Sequence, residues 1–207
     1  MRQHAFGEQG TTIIDRLGVY LSRRAILRQV GRRPGLRVLD LGCGYHAAHL
    51  RALLPFLAEG VGVDVRVDQS GNDAERIQLV ESTVEAAVCQ LESNHFDLVL
   101  LISVLEHLWD PEHVLRECQR VLLAGGALLV NVPTWCGKIF LEFSAFRLHT
   151  SPYEEMDDHK MYYGKRDLWP LLVRAGFKPS RIQLRYHKFG LNLFARAAKE
   201  GTDGKRA

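Results

Sequence analysis

Residues 38–47, Val38-Leu39-Asp40-Leu41-Gly42-Cys43-Gly44-Tyr45-His46-Ala47, pass from an apolar stretch into two closely spaced glycines and then into a segment able to start a helix. Glycine, lacking Cβ, lets a ligand approach the backbone, and the N-terminus of a following helix presents free N–H groups to an anion. The expected occupant of such a turn is nucleotide-like. Asp64 ends the next apolar run, twenty positions past Gly44. A carboxylate at that place can accept hydrogen bonds from both hydroxyls of an adenosine ribose.

Working outward, Leu36–Leu41, Gly60–Val65, Ile77–Val80, Phe96–Ile102 and Ala127–Val132 are short runs rich in Val, Leu and Ile. Runs of this kind suit strands buried on both faces of a parallel sheet. Helix-length segments lie between them at His46–Leu57, Val84–Glu92 and Pro111–Leu123, the last opening with Asp110 as N-cap and Pro111 at the first helical position. The order reads β-α-β-α-β-α-β-α-β, the pattern of a doubly wound α/β sheet with helices on both faces. In residues 11–30, Ile14, Leu17, Leu21 and Ile26 fall near one helical face, which predicts an amphipathic helix packed on the core and stopped by Gly31 and Pro34. Pro133–Tyr163 is aromatic-rich without clean periodicity, as expected of a lid or binding element. Lys165–Ala175 reads as a helix stopped by Gly176, and Phe177–Tyr186 with Leu191–Arg196 as a closing antiparallel hairpin.

The chain has 207 residues, 27 Lys plus Arg against 24 Asp plus Glu, and a net charge of +3. These proportions exclude disordered, collagenous and disulfide-scaffold classes and predict one domain with a real core. The basic residues are scattered, so no nucleic-acid surface is indicated. The first ten residues and Gly201–Ala207 are polar enough to be loose ends. Neither a signal core nor an apolar run of the roughly 18 residues that span a bilayer is evident, and the four cysteines lack paired zinc spacing. Reduced thiols in a cytoplasm are the expectation. No motif speaks to oligomeric state.

The spacing Gly42-x-Gly44-x-x-Ala47 also satisfies the dinucleotide fingerprint. Asp40 is the discriminator, because an acid in the turn repels a pyrophosphate but attracts the ammonium of S-adenosylmethionine, directly or through water. On that reading the loop and helix N-terminus take the methionine carboxylate.

With these residues together, the chain resembles the class I S-adenosylmethionine-dependent methyltransferases of small-molecule type. The likeness rests on Leu39-Asp40-Leu41-Gly42-Cys43-Gly44, Gly62-Val63-Asp64-Val65, Phe96-Asp97-Leu98-Val99, Val104-Leu105-Glu106-His107-Leu108 and Leu122–Val130, in the family order over residues 36–133. It implies a Rossmann-like three-layer sandwich with a seven-stranded, mostly parallel sheet of order 3-2-1-4-5-7-6. It implies S-adenosylmethionine as cofactor, with Gly42, Cys43 and Gly44 along the methionine moiety, Asp64 and Val65 at the ribose, and Ser103 beside the sulfonium. His46 replaces a third glycine common in the loop, and Thr83 stands where many members place an Asp at the adenine amine. The implied layout is an N-terminal helix at 11–30, a cofactor-binding core at 36–133, a substrate lid at 134–164 and a C-terminal helix and hairpin at 165–198.

Methyl transfer from a sulfonium is an in-line displacement on an activated carbon, so the protein mainly aligns donor and acceptor. An alcohol acceptor must also lose a proton, and His107 and His159 are the base candidates. Trp135, Tyr162 and Tyr163 are candidate walls for a small-molecule acceptor, although such aromatics also serve as packing. Asp157, Asp158 and His159 are consecutive and seldom converge on one ion, so no metal is expected. His46 and His49 read as solvated or packing residues, Cys43 as a small residue tolerated between glycines, and Cys89 and Cys118 as core. The expected reaction is methyl transfer to oxygen, nitrogen or carbon, oxygen being favoured by the base candidate. The alternatives are a nicotinamide oxidoreductase using the glycine turn, a non-catalytic protein that keeps the fold for binding, and an RNA methyltransferase.

Overall fold

The computed structural model describes residues 4–8, 10–31, 33–70, 75–138 and 160–201. Seven strands form one sheet: β1 (Leu36–Leu41), β2 (Leu57–Asp64), β3 (Ile77–Glu81), β4 (Phe96–Ile102), β5 (Leu122–Pro133), β6 (Ile182–His187) and β7 (Asn192–Ala198), in the order β3-β2-β1-β4-β5-β7-β6. The first five run parallel, and β7 pairs antiparallel with both β5 and β6. This is the Rossmann-like α/β architecture and the strand order expected from the sequence.

Alternation along the strands splits the core in two. One face carries Leu39, Leu41, Val99, Leu101, Leu128 and Val130 under α3 (Val84–Gln90), α4 (Pro111–Val121) and α5 (Lys165–Arg174). The other carries Val38, Leu98, Leu100, Ile102, Leu129 and Phe194 under α1 (Ile13–Val30) and α2 (Ala48–Ala52). Asp40 and Asn131 continue this second row, two residues past Val38 and Leu129. Each fully buried aliphatic side chain contributes about 1.5–3 kcal/mol of transfer free energy, so the apolar runs of β1, β4 and β5 anchor the sheet.

Several expectations are corrected. The helix expected over His46–Leu57 is only five residues long: Ala47 takes a left-handed conformation (φ 45°), and a 3₁₀ turn containing Pro55 follows. Proline biases the residue before it away from the helical region, so the chain enters β2 already at Leu57. No helix joins β2 to β3 among the described residues. Phe177 is a buried core residue, and β6 starts only after a 3₁₀ turn at Pro179–Arg181. In α1 the second half packs, with Ala25, Ile26 and Val30 buried, while Ile14 and Leu17 are 46% and 53% exposed. Cys118 is buried as expected, but Cys89 is exposed, with Sγ 3.4 Å from His113 Nε2. The N-terminal segment is docked: Ala5 is buried, and the Phe6 carbonyl accepts a bond of 2.9 Å from the Tyr45 N–H.

The turn after β1 depends on glycine at its first position. Gly42 has φ 75°, and a Cβ there would lie 2.3 Å from Cγ2 of Val104. Gly42→Ala combines a left-handed alanine, about 1–2 kcal/mol, with overpacking of about 1–3 kcal/mol. Urea unfolding should show a loss of about 2–4 kcal/mol; an unchanged midpoint would contradict the packing described.

Candidate active site

The end of β2 holds the glycine turn. The Val63 carbonyl accepts from the N–H groups of Gly42 (2.7 Å) and Cys43 (3.0 Å), and Asp64 Oδ2 accepts from the Gly44 N–H at 2.8 Å. Asp64 Oδ1 accepts from its neighbour Val65 N–H, also at 2.8 Å. Farther on, Tyr45 N–H goes to Phe6 and Ala47 N–H to the Gly44 carbonyl. Thus five amides of residues 42–47 are already bonded within the protein. The expectation that loop and helix N-terminus would meet an anion faces a different geometry: α2 is five residues long, and these five loop amides have protein acceptors.

Asp40 stands below the turn with 0% exposure, and neither carboxyl oxygen has a hydrogen-bond partner among the described residues. Burial first, and the charge of Asp64 second, push its pKa up to about 7. A buried carboxylate is costly and tends to neutralise, and a positively charged group brought beside it would favour the charged form. Asn131, at the same face of β5, is likewise fully buried, with both amide atoms unpartnered among the described residues.

Above the turn opens a crevice of about 160 Å³, lined by Gly42, Asp64, Val65, Ser82, Thr83, Val84, Glu85, Val104, His107, Leu108, Trp109 and Lys160. Its position, at the carboxyl ends of β1, β2 and β4, is where the strand order reverses and open α/β sheets take their ligands. Val84, Val104 and Leu108 make its apolar walls, and Asp64 is the acid at its floor.

Of the residues singled out from the sequence, Gly42, Asp64, Val65, Thr83 and His107 meet at this crevice. Thr83 also caps α3, its hydroxyl accepting from the Ala86 N–H at 3.3 Å. The His107 N–H donates to the Val104 carbonyl at 2.9 Å, and its own carbonyl accepts from the Lys160 ammonium. Gly44 is covered by Phe6, whose carbonyl would stand 3.1 Å from a Cβ at that position. Cys43 is buried away from the crevice, and burial raises its thiol pKa. Ser103 has φ 59° and donates its N–H to the Asn131 carbonyl at 2.8 Å, outside the crevice lining. Tyr163 as an acceptor wall is corrected: it belongs to the core, 1% exposed, with its hydroxyl donating to the Leu105 carbonyl at 3.3 Å. Tyr162 is buried beside Trp135, the ring centroids 5.6 Å apart, and Trp135 is 57% exposed. His159, with Asp157 and Asp158, lies outside the described residues.

Sequence reasoning missed Lys160 and Trp109. Lys160 donates its N–H to the Glu106 carbonyl at 2.8 Å and rests its ammonium 4.9 Å from the centroid of the Trp109 ring, closing one side of the crevice. Trp109 follows the strand-end motif closely enough to have been suspected. Lys160 has no local signal, since only the fold brings it there.

Comparison with known proteins follows the same lines. A family model described as a methyltransferase domain matches residues 39–130. A probable S-adenosylmethionine-dependent methyltransferase of Mycobacterium tuberculosis is 33% identical over 175 residues, 83% of this chain and 60% of that one. A ubiquinone biosynthesis O-methyltransferase of Caulobacter is 32% identical over 108 residues, 48% of this chain and 42% of that one. The chain spans less than two thirds of the length of these curated relatives. Among solved structures, a putative methyltransferase from Bacillus halodurans superposes with a TM-score of 0.64 at 16% identity, covering 86% of this chain and 98% of that one. Motif order, strand order and matched segment agree: residues 39–130 form a methyltransferase domain, of the class I S-adenosylmethionine-dependent type.

Proposed function

We propose that this chain transfers a methyl group from S-adenosylmethionine to a small-molecule acceptor, an oxygen nucleophile being favoured. The observation that carries this reading is the pair of acids around the turn: Asp64 in the crevice lining and Asp40 fully buried beneath, its oxygens without a partner among the described residues. One can accept the ribose hydroxyls, and the other can balance the ammonium. A diphosphate would meet two carboxylates and a turn whose amides are spent, which disfavours a nicotinamide dinucleotide.

The bound cofactor supplies a methyl group on a positively charged sulfur, an electrophile that needs no further activation. The protein's work is alignment. Gly42 admits the donor close to the backbone, Val65, Thr83 and Val84 offer a slot for the base, and Val104 with Leu108 closes it from the β4 side. His107, in the crevice lining, would take the proton of an acceptor hydroxyl; imidazole suits that task because its reference pKa of about 6.5 is near neutral pH. Trp135 and Tyr162 extend the aromatic rim on the acceptor side. Kinship with an O-methyltransferase at low identity supports oxygen over nitrogen or carbon.

Two outcomes test the reading. Removing the carboxylate in Asp64→Ala deletes charge-assisted hydrogen bonds of about 1.5–3 kcal/mol each, so calorimetry should show S-adenosylhomocysteine binding weakened about thirtyfold or more. Unchanged affinity in the folded variant would remove Asp64 from the cofactor site. Asp40 gives a pH signature. With its pKa near 7, the carboxyl is largely protonated at pH 6 and must lose that proton to receive the ammonium, whereas at pH 8 it is already charged. Affinity should therefore rise about tenfold from pH 6 to pH 8, with proton release on binding at the lower pH. In Asp40→Asn the slope should vanish; a slope that persists would assign the titration elsewhere.

A further inference from the structure

The loop joining β6 to β7 puts three consecutive residues, Lys188, Phe189 and Gly190, at positive φ (49°, 59° and 88°). Two of them carry side chains, and such a conformation persists only where its surroundings enforce it. Here two anchors do so. The Thr134 hydroxyl, at the end of β5, donates to the Gly190 carbonyl at 2.8 Å, and the Lys188 side chain turns under α1, its Nζ 3.6 Å from where a Cβ on Gly18 would stand. Phe189, between these anchors, is left 95% exposed. A pinned, strained tip thus holds an aromatic ring out to water, where the fold itself gains nothing from its apolar area.

The start of α1 shares this end of the molecule. Gly18 meets the tip, whereas Gln29 lines a cleft with Gln183 and Arg196 at the other end of the same hairpin, so α1 runs antiparallel to β6 with its first turns beside the tip. Ile13 is 84% exposed there, and Ile14 and Leu17 are the exposed residues already noted. Asn192, just past the tip, pairs with Pro133 at the end of β5, which sets these side chains at the carboxyl end of the sheet. Exposed Trp109 and Trp135 follow β4 and β5 at that same end, where the crevice opens.

Behind the apolar end comes positive charge. α1 holds Arg16, Arg23, Arg24 and Arg28 against Asp15 alone, and residues 182–190 hold Arg185 and Lys188 with no acid. Arg24 lies about 10 Å along the helix from Leu17. On the hairpin, Gln183 pairs with Arg196 and Arg185 with Phe194, which brings both arginines into one cleft of about 210 Å³ whose lining contains no acid. Apolar groups at the end, with arginines one layer behind, match the depth profile of a lipid interface: acyl chains first, then phosphate headgroups.

Charge selects the occupant. A second copy of this chain presents the same arginines, so a self-complementary contact sets like charges together, whereas an anionic lipid surface attracts them. Shape agrees, because a protruding ring enters a fluid layer without needing a matching pocket. We propose that the Phe189 tip and the first turns of α1 insert into an anionic lipid surface, with Arg24, Arg28, Arg185 and Arg196 at its phosphates. The contact is peripheral, since no described helix is long and apolar enough to cross a membrane.

Co-sedimentation with vesicles of phosphatidylcholine alone, and of phosphatidylcholine mixed with phosphatidylglycerol, tests this at constant ionic strength. Wild type should bind the anionic vesicles about tenfold more tightly than the neutral ones. Phe189→Ser should lose about tenfold on the anionic vesicles, and Phe189→Trp should keep wild-type affinity within about threefold. The double variant Arg24→Gln, Arg28→Gln should lose most of the preference for anionic lipid, and thermal melting checks that each variant is folded. No binding to either vesicle, or wild-type binding by Phe189→Ser, would overturn the proposal. So would a concentration-dependent dimer of wild type that Phe189→Ser abolishes, which would give the tip to a second copy. No cofactor enters the assay, so its outcome is independent of the methyl-transfer reading, and S-adenosylhomocysteine affinity should be the same in Phe189→Ser as in wild type.

Discussion

The last two residues of β2 organise the site. The Val63 carbonyl and the Asp64 carboxylate together receive three successive amides, those of Gly42, Cys43 and Gly44, at 2.7–3.0 Å. Because β1 and β2 are adjacent parallel strands, this bonding folds the turn sideways onto the neighbouring strand end. Three consequences follow. The turn lies open toward the crevice at Gly42. Its first three amides face protein acceptors. Asp64 is held by two amides, those of Gly44 and Val65. A glycine turn that looks alike in sequence can thus serve different ligands according to where its N–H groups point.

Electrostatics supplies the complementary half. Burial first, and repulsion from Asp64 second, lead Asp40 to hold its proton near neutral pH. On the proposed reading, an arriving cation would charge Asp40 and couple cofactor binding to proton release.

Much of this was legible in the sequence because the deciding residues lie close together along the chain. The run from Val38 to Ala47 and the acid at the end of the second strand follow from local patterning, and the strand order follows from the resemblance those motifs carry. Features made by distant segments were not legible. Phe6 capping the turn, Lys160 closing the crevice and Lys188 entering under α1 depend on tertiary placement with no periodicity to announce it. The shortness of α2 depends on one alanine in a left-handed conformation, which its side chain does not signal. Tyr163 and Cys89 show the other limit: an aromatic in an irregular segment or a cysteine in a helix reveals its type but not its facing, and the structure buried the first and exposed the second.

The most direct test of the two-acid site is diffraction from crystals grown with S-adenosylhomocysteine. The account predicts density with both ribose hydroxyls on the Asp64 carboxylate and the ammonium within reach of Asp40, directly or through one water. A crevice that stays empty at saturating nucleoside, or a nucleoside whose ribose avoids Asp64 and leaves Asp40 without a partner, would contradict it.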